Sequence, residues 1–494
     1  MAPSRSLLVE RFERVCKDQR SRVAIYALSE NRAITFDEVW RDLAHFRQAL
    51  RAAHLPNRSF IVSLVGNRAG FVPALAATLD HGAALIPIDP GSILGEVWKL
   101  VEQFGASAVI APATTEVPAV ESLIALPSGL ALFRIGSSSR DAGLASAAVI
   151  KLTSGSEGRP KAVVYSEANL AADGRHIIEA MAIGPEDVNL AAIPLSHSYG
   201  LGNLVMPLML QGSALVLRES FVPTRLFDDV GQCGVTVVPG VPFLFDYMRK
   251  NLVAQEVPNS LRLLITAGAT IHYETVEEVR RMFGLKIHSF YGTSETGGIA
   301  YDDSETVENP LPVGHCLPGT TVTLLPMNGA TDGEGRVHVC GDAVASGYVE
   351  CVEPTEHAAF CDGGFLTGDI GCFNSRRQLV LTGRVSRFVN VAGRKIHPNE
   401  VERVLLQMPQ IVTARVIGLP CEKRGEMLVA CIVPAPHLRV STVAIRKHCS
   451  SHLPPYKIPR EYLFVDALPI DSRGKTDHRA LEALATKQIG GARR

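Results

Sequence analysis

Between residues 32 and 111 short apolar runs alternate with segments whose apolar residues recur at helical spacing, and this alternation restricts the fold more than any other feature. Val39, Leu43, Phe46 and Leu50 predict a helix over 37–53. Apolar strands are expected over 60–64, 83–89 and 108–111, separated by helices over 69–81 and 97–104. Repeated strand–helix units imply a mostly parallel sheet covered on both faces. At 494 residues the chain is too long for one core, so two or three domains are expected.

With 46% hydrophobic and 20% charged residues, the composition is that of a compact globule. A formal net charge of -1 gives no broad attraction to nucleic acid or anionic lipid. Ten cysteines occur without a C-x-x-C pair, which argues against a zinc site or disulfide framework and fits a reducing, cytoplasmic compartment. The first 20 residues are charged and lack the apolar core of a signal peptide. The most apolar stretch, 199–217, contains Asn203 and Pro207 and is divided by Gln211-Gly212, so a buried helix followed by a strand is expected, not a membrane span.

The apolar run 147–150 leads into K-L-T-S-G-S-E-G-R-P-K-A-V-V, residues 151–164. Thr153, Ser154 and Ser156 supply hydroxyls, Gly155 and Gly158 let backbone approach a ligand, and Lys161 supplies a cation. Such a loop suits a nucleotide triphosphate tail, although a Ser/Gly-rich surface turn has the same composition. It is not a Walker A loop, because Ala162 follows the lysine, and it holds no G-x-G-x-x-G. The pattern resembles the T-S-G-[ST]-x-G-x-P-K signature of the adenylate-forming superfamily, which includes acyl-CoA synthetases, luciferases and peptide-synthetase adenylation domains.

Later segments match that family in order. His197 follows an expected strand over 189–195, where open α/β sheets place ligands. The resemblance puts it beside the acyl pocket. The family's amino-acid-activating members carry an aspartate here. None occurs between Leu190 and Leu204, so a buried substrate ammonium would have no partner. Expected strands over 235–238 and 261–266 end in small residues, the second in Ala267-Gly268-Ala269, where a flat ring can lie against backbone.

Tyr291-Gly292-Thr293-Ser294-Glu295 is similar to the family's Y-G-x-[ST]-E. Tyr291 offers a ring for adenine, Ser294 a hydroxyl for the α-phosphate and Glu295 a hard oxygen for Mg²⁺. Thr296 replaces the second glycine of G-x-S-x-G, so no hydrolase elbow is supported. Residues 310–382 change to short strands and turns, as expected of a small β subdomain. Gly364 to Asp369 resembles [YF]-x-T-G-D, and Asp369 can accept from both ribose hydroxyls. Arg384 would add a donor there. Gly393 matches the family's loop beside the thiol tunnel, and Lys475, in the final P-x-x-x-x-G-K turn, matches the lysine that bridges substrate carboxylate and α-phosphate.

The resemblance implies a large α/β N-terminal domain (1–383), with parallel-rich sheets, flanking helices and the β subdomain. It further implies a hinge at 384–387 and a small mobile α+β C-terminal domain over 388–494. The implied reaction is activation of a small-molecule carboxylic acid by ATP and Mg²⁺, then transfer to a thiol of CoA or of phosphopantetheine on an acyl-carrier protein acting in trans. Catalytic roles fall to Lys475, Glu295 and His197, in a monomer or homodimer. Two departures, Glu157 inside the phosphate loop and Ser386 where the family commonly has Asp or Lys at the hinge, motivate the alternative of a weakened homologue that only binds nucleotide or acyl groups.

Overall fold

The computed structural model describes residues 6–56, 58–136, 147–154, 160–251, 256–327, 333–349, 358–385, 389–391, 394–396, 398–421, 425–436, 438, 440–470 and 476–491. The chain divides into two compact units, one of residues 1–322 with 339–365, the other of 323–338 with 366–494.

Two sheets build the first unit. In one, the strands Ile287–Thr293, Leu263–Thr266, Val237–Gly240, Val188–Leu190, Ala214–Leu217 and Val23–Ala27 run parallel in that order. Antiparallel neighbours close both its sides. The carboxyl ends of four adjacent parallel strands therefore lie side by side, and the loops leaving them contain His197, Val241, Gly268 and Glu295. Open α/β sheets place ligands at such an edge. The strand expected over 189–195 is shorter than its apolar run: Ala191 still donates to the Val216 carbonyl at 2.9 Å, after which the chain leaves the ladder ahead of Pro194.

The second sheet is parallel only through Val149–Ser154, Ala84–Pro87, Phe60–Ser63 and Ala108–Pro112. Leu130–Ile135 and Val120–Ala125 extend one side antiparallel, Pro160–Tyr165 and Gly347–Tyr348 the other. Parallel neighbours need a crossover, whereas a chain that turns back within a few residues can pair only antiparallel. The mostly parallel expectation thus holds for the middle of the sheet; the antiparallel pairs of Val120–Ala125 with Leu130–Ile135 and of Val149–Ser154 with Pro160–Tyr165 are local, whereas Gly347–Tyr348 joins from far along the chain.

Helix Phe36–Ala52 starts at a capping box, with Thr35 Oγ1 accepting from the Glu38 amide and the Glu38 carboxylate accepting from the Thr35 amide. It buries Val39, Leu43, Phe46 and Leu50, the four residues whose spacing predicts it. Residues 198–211 are helical with a π turn over Leu201–Val205; Gly212, at φ +86°, ends the helix ahead of strand Ala214–Leu217. Among the described residues no helix is long and apolar enough to cross a membrane.

In the second unit, Leu379–Arg384 pairs antiparallel with residues 369–373 of its neighbouring strand. A separate sheet is built on the hairpin Ile411–Cys421 with Gly425–Pro434, flanked by Val389–Val391 and, in parallel, by Glu461–Phe464. Helices Pro398–Leu406 and Thr442–His452 supply Val401, Leu405, Ile445 and Cys449 to one core with Val416 and Ile432 of that hairpin. This α+β arrangement is the one expected of the last hundred residues.

Candidate active site

Thr153 and Lys161 are cross-strand partners in the antiparallel ladder between Val149–Ser154 and Pro160–Tyr165. The two ends of the expected phosphate loop therefore lie side by side, and its lysine stands on a strand. Alternation in that strand turns Lys161 away from its neighbours Ala162 and Pro160. Its ammonium lies 5.7 Å from the centroid of the Tyr348 ring. Tyr348 sits in the two-residue strand Gly347–Tyr348, paired with Val163 on the same ladder, and is only 7% exposed. Its hydroxyl donates to Glu295 Oε1 at 2.8 Å. Tyr348 thus joins Lys161 and Glu295, two expected site residues distant in sequence.

Backbone bonds fix the Glu295 loop independently. The Glu295 amide donates to Thr293 Oγ1 at 3.2 Å, and the Ala345 amide donates to the Glu295 carbonyl at 2.8 Å. Next to it, Ser294 Oγ accepts from Ser198 Oγ at 3.0 Å. Ser198 follows His197, whose Nε2 lies 3.9 Å from Asp89 Oδ2. Asp89 stands just past the carboxyl end of Ala84–Pro87, so His197 is where a loop of one sheet meets a loop of the other. Tyr199 stacks on Phe290 at 5.8 Å and donates to the Ile265 carbonyl at 3.2 Å, which ties the histidine's helix to two neighbouring strands. Tyr291 is buried at 8% exposure, whereas Gly292, Gly268 (φ +84°) and Ala269 are exposed.

Behind this surface lies a buried charge cluster. Lys151 is 3% exposed, its ammonium 3.5 Å from the Tyr165 ring centroid and without a hydrogen-bond partner among the described residues. Burial pushes its pKa down to about 8, against the pull of the Asp173 and Glu295 carboxylates. Asp173, on helix Glu167–Ala180, accepts from the Gly298 amide at 2.8 Å; burial raises its pKa, and Lys151 and that amide oppose the rise. Gly297, at φ +69°, makes room for it, since a Cβ there would lie 2.4 Å from Asp173 Oδ1.

In the second unit, Asp369 and Arg384 are cross-strand partners, and Arg384 Nε donates to Asp369 Oδ1. The Asp369 side chain is 5% exposed and that of Arg384 50%. Thr367 Oγ1 accepts from the Asp369 amide at 3.0 Å and donates to the Val337 carbonyl at 2.9 Å, holding the carboxylate's backbone in place.

Ser154 ends its strand, and its side chain is outside what the structure describes, as are Gly155, Ser156, Glu157, Gly158, Ser386, Gly393 and Lys475. Tyr348, Lys151, Asp173 and Asp89 were not expected from sequence. For Tyr348 no local signal exists, since its link to Glu295 spans 53 residues.

A family model described as AMP-binding enzyme matches residues 12–349, and one described as AMP-binding enzyme C-terminal domain matches 400–475. A sulfoacetate–CoA ligase of Cupriavidus necator is 29% identical over 344 residues, 68% of this chain and 66% of the ligase, just under two thirds of that relative's length. A D-alanine–D-alanyl carrier protein ligase of Bacillus licheniformis is 26% identical over 502 residues, 97% of this chain and 99% of the relative. Among solved structures, ATP-bound MatB from Rhodopseudomonas palustris superposes with a TM-score of 0.84 at 22% identity, covering 98% of this chain and 100% of that one. That last likeness concerns the fold.

Proposed function

The chain belongs to the AMP-binding enzyme family, and from that premise we propose that it is an AMP-forming acid–thiol ligase. A carboxylate oxygen attacks the α-phosphorus of ATP, the bond to the bridging oxygen breaks, and pyrophosphate leaves as acyl-AMP forms. A thiol then displaces AMP from the acyl carbon to give a thioester. Protein groups do little covalent work in such a sequence; positioning and charge neutralisation dominate.

The observation that carries this proposal is the link from Lys161 through Tyr348 to Glu295, which brings a cation and a carboxylate to one ladder edge. Lys161 and Thr153 would hold the outer phosphates, with the hydroxyls and amides of Ser154, Gly155, Ser156 and Gly158. Ser294 would face the α-phosphate, and Tyr291, Gly292, Gly268 and Ala269 would line the adenine. His197 would border the acyl group.

Magnesium fits the donors present. Among the described residues no group of three or more His, Cys, Asp or Glu stands together, and one hard carboxylate beside a phosphate site suits an ion that keeps waters and phosphate oxygens. Glu295 is that carboxylate, with Oε1 accepting from Tyr348. When bound, the ion would neutralise phosphate charge. Asp369, oriented by Arg384, would accept from the ribose. Residues 388–494 would act as a lid turning on a hinge at 384–387, bringing Lys475 for adenylation and the Gly393 loop for the thiol step.

The acceptor is CoA or a carrier-protein pantetheine. Pyrophosphate exchange with a panel of carboxylic acids tests the activity, and mass spectrometry of acyl-hydroxamates from a mixed acid library identifies the acid. Absence of acid-dependent exchange with every acid, while ATP still binds, would overturn the proposal.

A further inference from the structure

We propose that Tyr348 is a positioning residue for Glu295, orienting its carboxylate toward the metal that accompanies ATP; this rests on the role given to Glu295 above. The phenol is held from three sides. Its backbone is laddered to the lysine strand: Ser346 donates to the Val164 carbonyl and Val349 to the Ala162 carbonyl, each at 2.9 Å. Its ring packs edge-on against Phe360 at 5.2 Å. Three residues upstream, the Ala345 amide bonds the Glu295 carbonyl, so the segment entering Tyr348 and the loop carrying Glu295 are fixed to each other by backbone as well.

A donor fixed in this way selects one orientation of a flexible side chain. A free glutamate has rotamer freedom that a ligand must remove on binding; here the hydroxyl removes it beforehand. The bond engages Oε1 and leaves Oε2 able to face a cation. Because the same ring lies beneath the Lys161 ammonium, the two groups given the metal and the outer phosphates share one rigid support.

Tyr348→Phe separates the two contacts, since it keeps the ring under Lys161 and removes only the hydroxyl. ATP binding is measured by calorimetry across a magnesium titration and again in EDTA, with thermal melts confirming the folded state. Tyr348→Phe is expected to raise the magnesium concentration for half-maximal ATP binding about tenfold, the effect of one lost bond to a charged group. Binding in EDTA should not change. In a Glu295→Gln background the same substitution should have no further effect on the magnesium dependence. If Glu295→Gln shifts the magnesium dependence and Tyr348→Phe does not, the inference falls and the role of Glu295 stands. If neither shifts it, the role of Glu295 falls and this inference with it. Equal weakening with and without metal would make Tyr348 a packing residue only and also overturn the inference.

Discussion

Arg384 stands opposite Asp369 across two antiparallel strands and donates to a carboxylate on an almost fully buried side chain while its own side chain is half exposed. The buried partner depends on the exposed one. Removing the guanidinium takes a charge-assisted hydrogen bond from that carboxylate, which costs about 1.5–3 kcal/mol. Arg384→Leu should therefore lower stability by that amount in denaturant titrations. Arg384→Leu combined with Asp369→Asn should lose less than the two single changes added together. Asp369→Asn alone should weaken ATP binding on the order of tenfold if the carboxylate serves the ribose.

Gly297 is constrained by both backbone and space. An added methyl at φ +69° would meet the Asp173 carboxylate at 2.4 Å and push it from the Gly298 amide. Gly297→Ala is expected to destabilise by roughly 2 kcal/mol or more, from left-handed backbone strain together with a lost buried bond. Thermal or chemical unfolding measures it, and an unchanged midpoint would refute it.

Lys151 gives a pH signature with a definite sign. Its pKa is about 8 in the fold against 10.5 ordinarily, so between those values the unfolded chain holds a proton that the native chain has released. Stability then rises with pH across that window, at up to about 1.4 kcal/mol per pH unit. Lys151→Met should abolish this part of the rise, measured as the difference between wild-type and variant unfolding curves from pH 8 to 10. Parallel curves would place the lysine's titration outside the window.

The two half-reactions separate the roles proposed for Lys475 and Gly393. Lys475→Ala should reduce acid-dependent pyrophosphate exchange about a hundred- to thousand-fold, as loss of a preorganised cation does, yet spare capture of supplied acyl-AMP by a thiol. A bulky residue at Gly393 should do the reverse, blocking thioester formation while exchange continues. Equal losses in both assays would remove each residue from its assigned step.

Local motifs made much of this molecule legible from sequence. The hydroxyl–glycine–lysine run and the tyrosine-to-glutamate run each lie next to an apolar strand whose end the structure places at a loop cluster. The helix over Phe36–Ala52 is readable because four apolar residues recur at helical spacing, and the structure buries all four. Tyr348 was not readable: a Gly-Tyr pair has no periodicity, and its partner strand and its carboxylate are both remote in sequence. Lys151 escaped for a different reason. A lysine normally stays in water, and only the packing of Tyr165 and Asp173 from elsewhere reveals it as buried. The antiparallel edges of the second sheet are not legible, because a short apolar run does not carry its direction.

The hairpin that holds Thr153 opposite Lys161 separates two properties that a free loop would couple. The separation of the Thr153 and Lys161 backbones follows from the ladder hydrogen bonds between their two strands. If the nucleotide binds as proposed, substitutions confined to 155–159 should change its affinity while the paired strands that carry Thr153 and Lys161 keep their register.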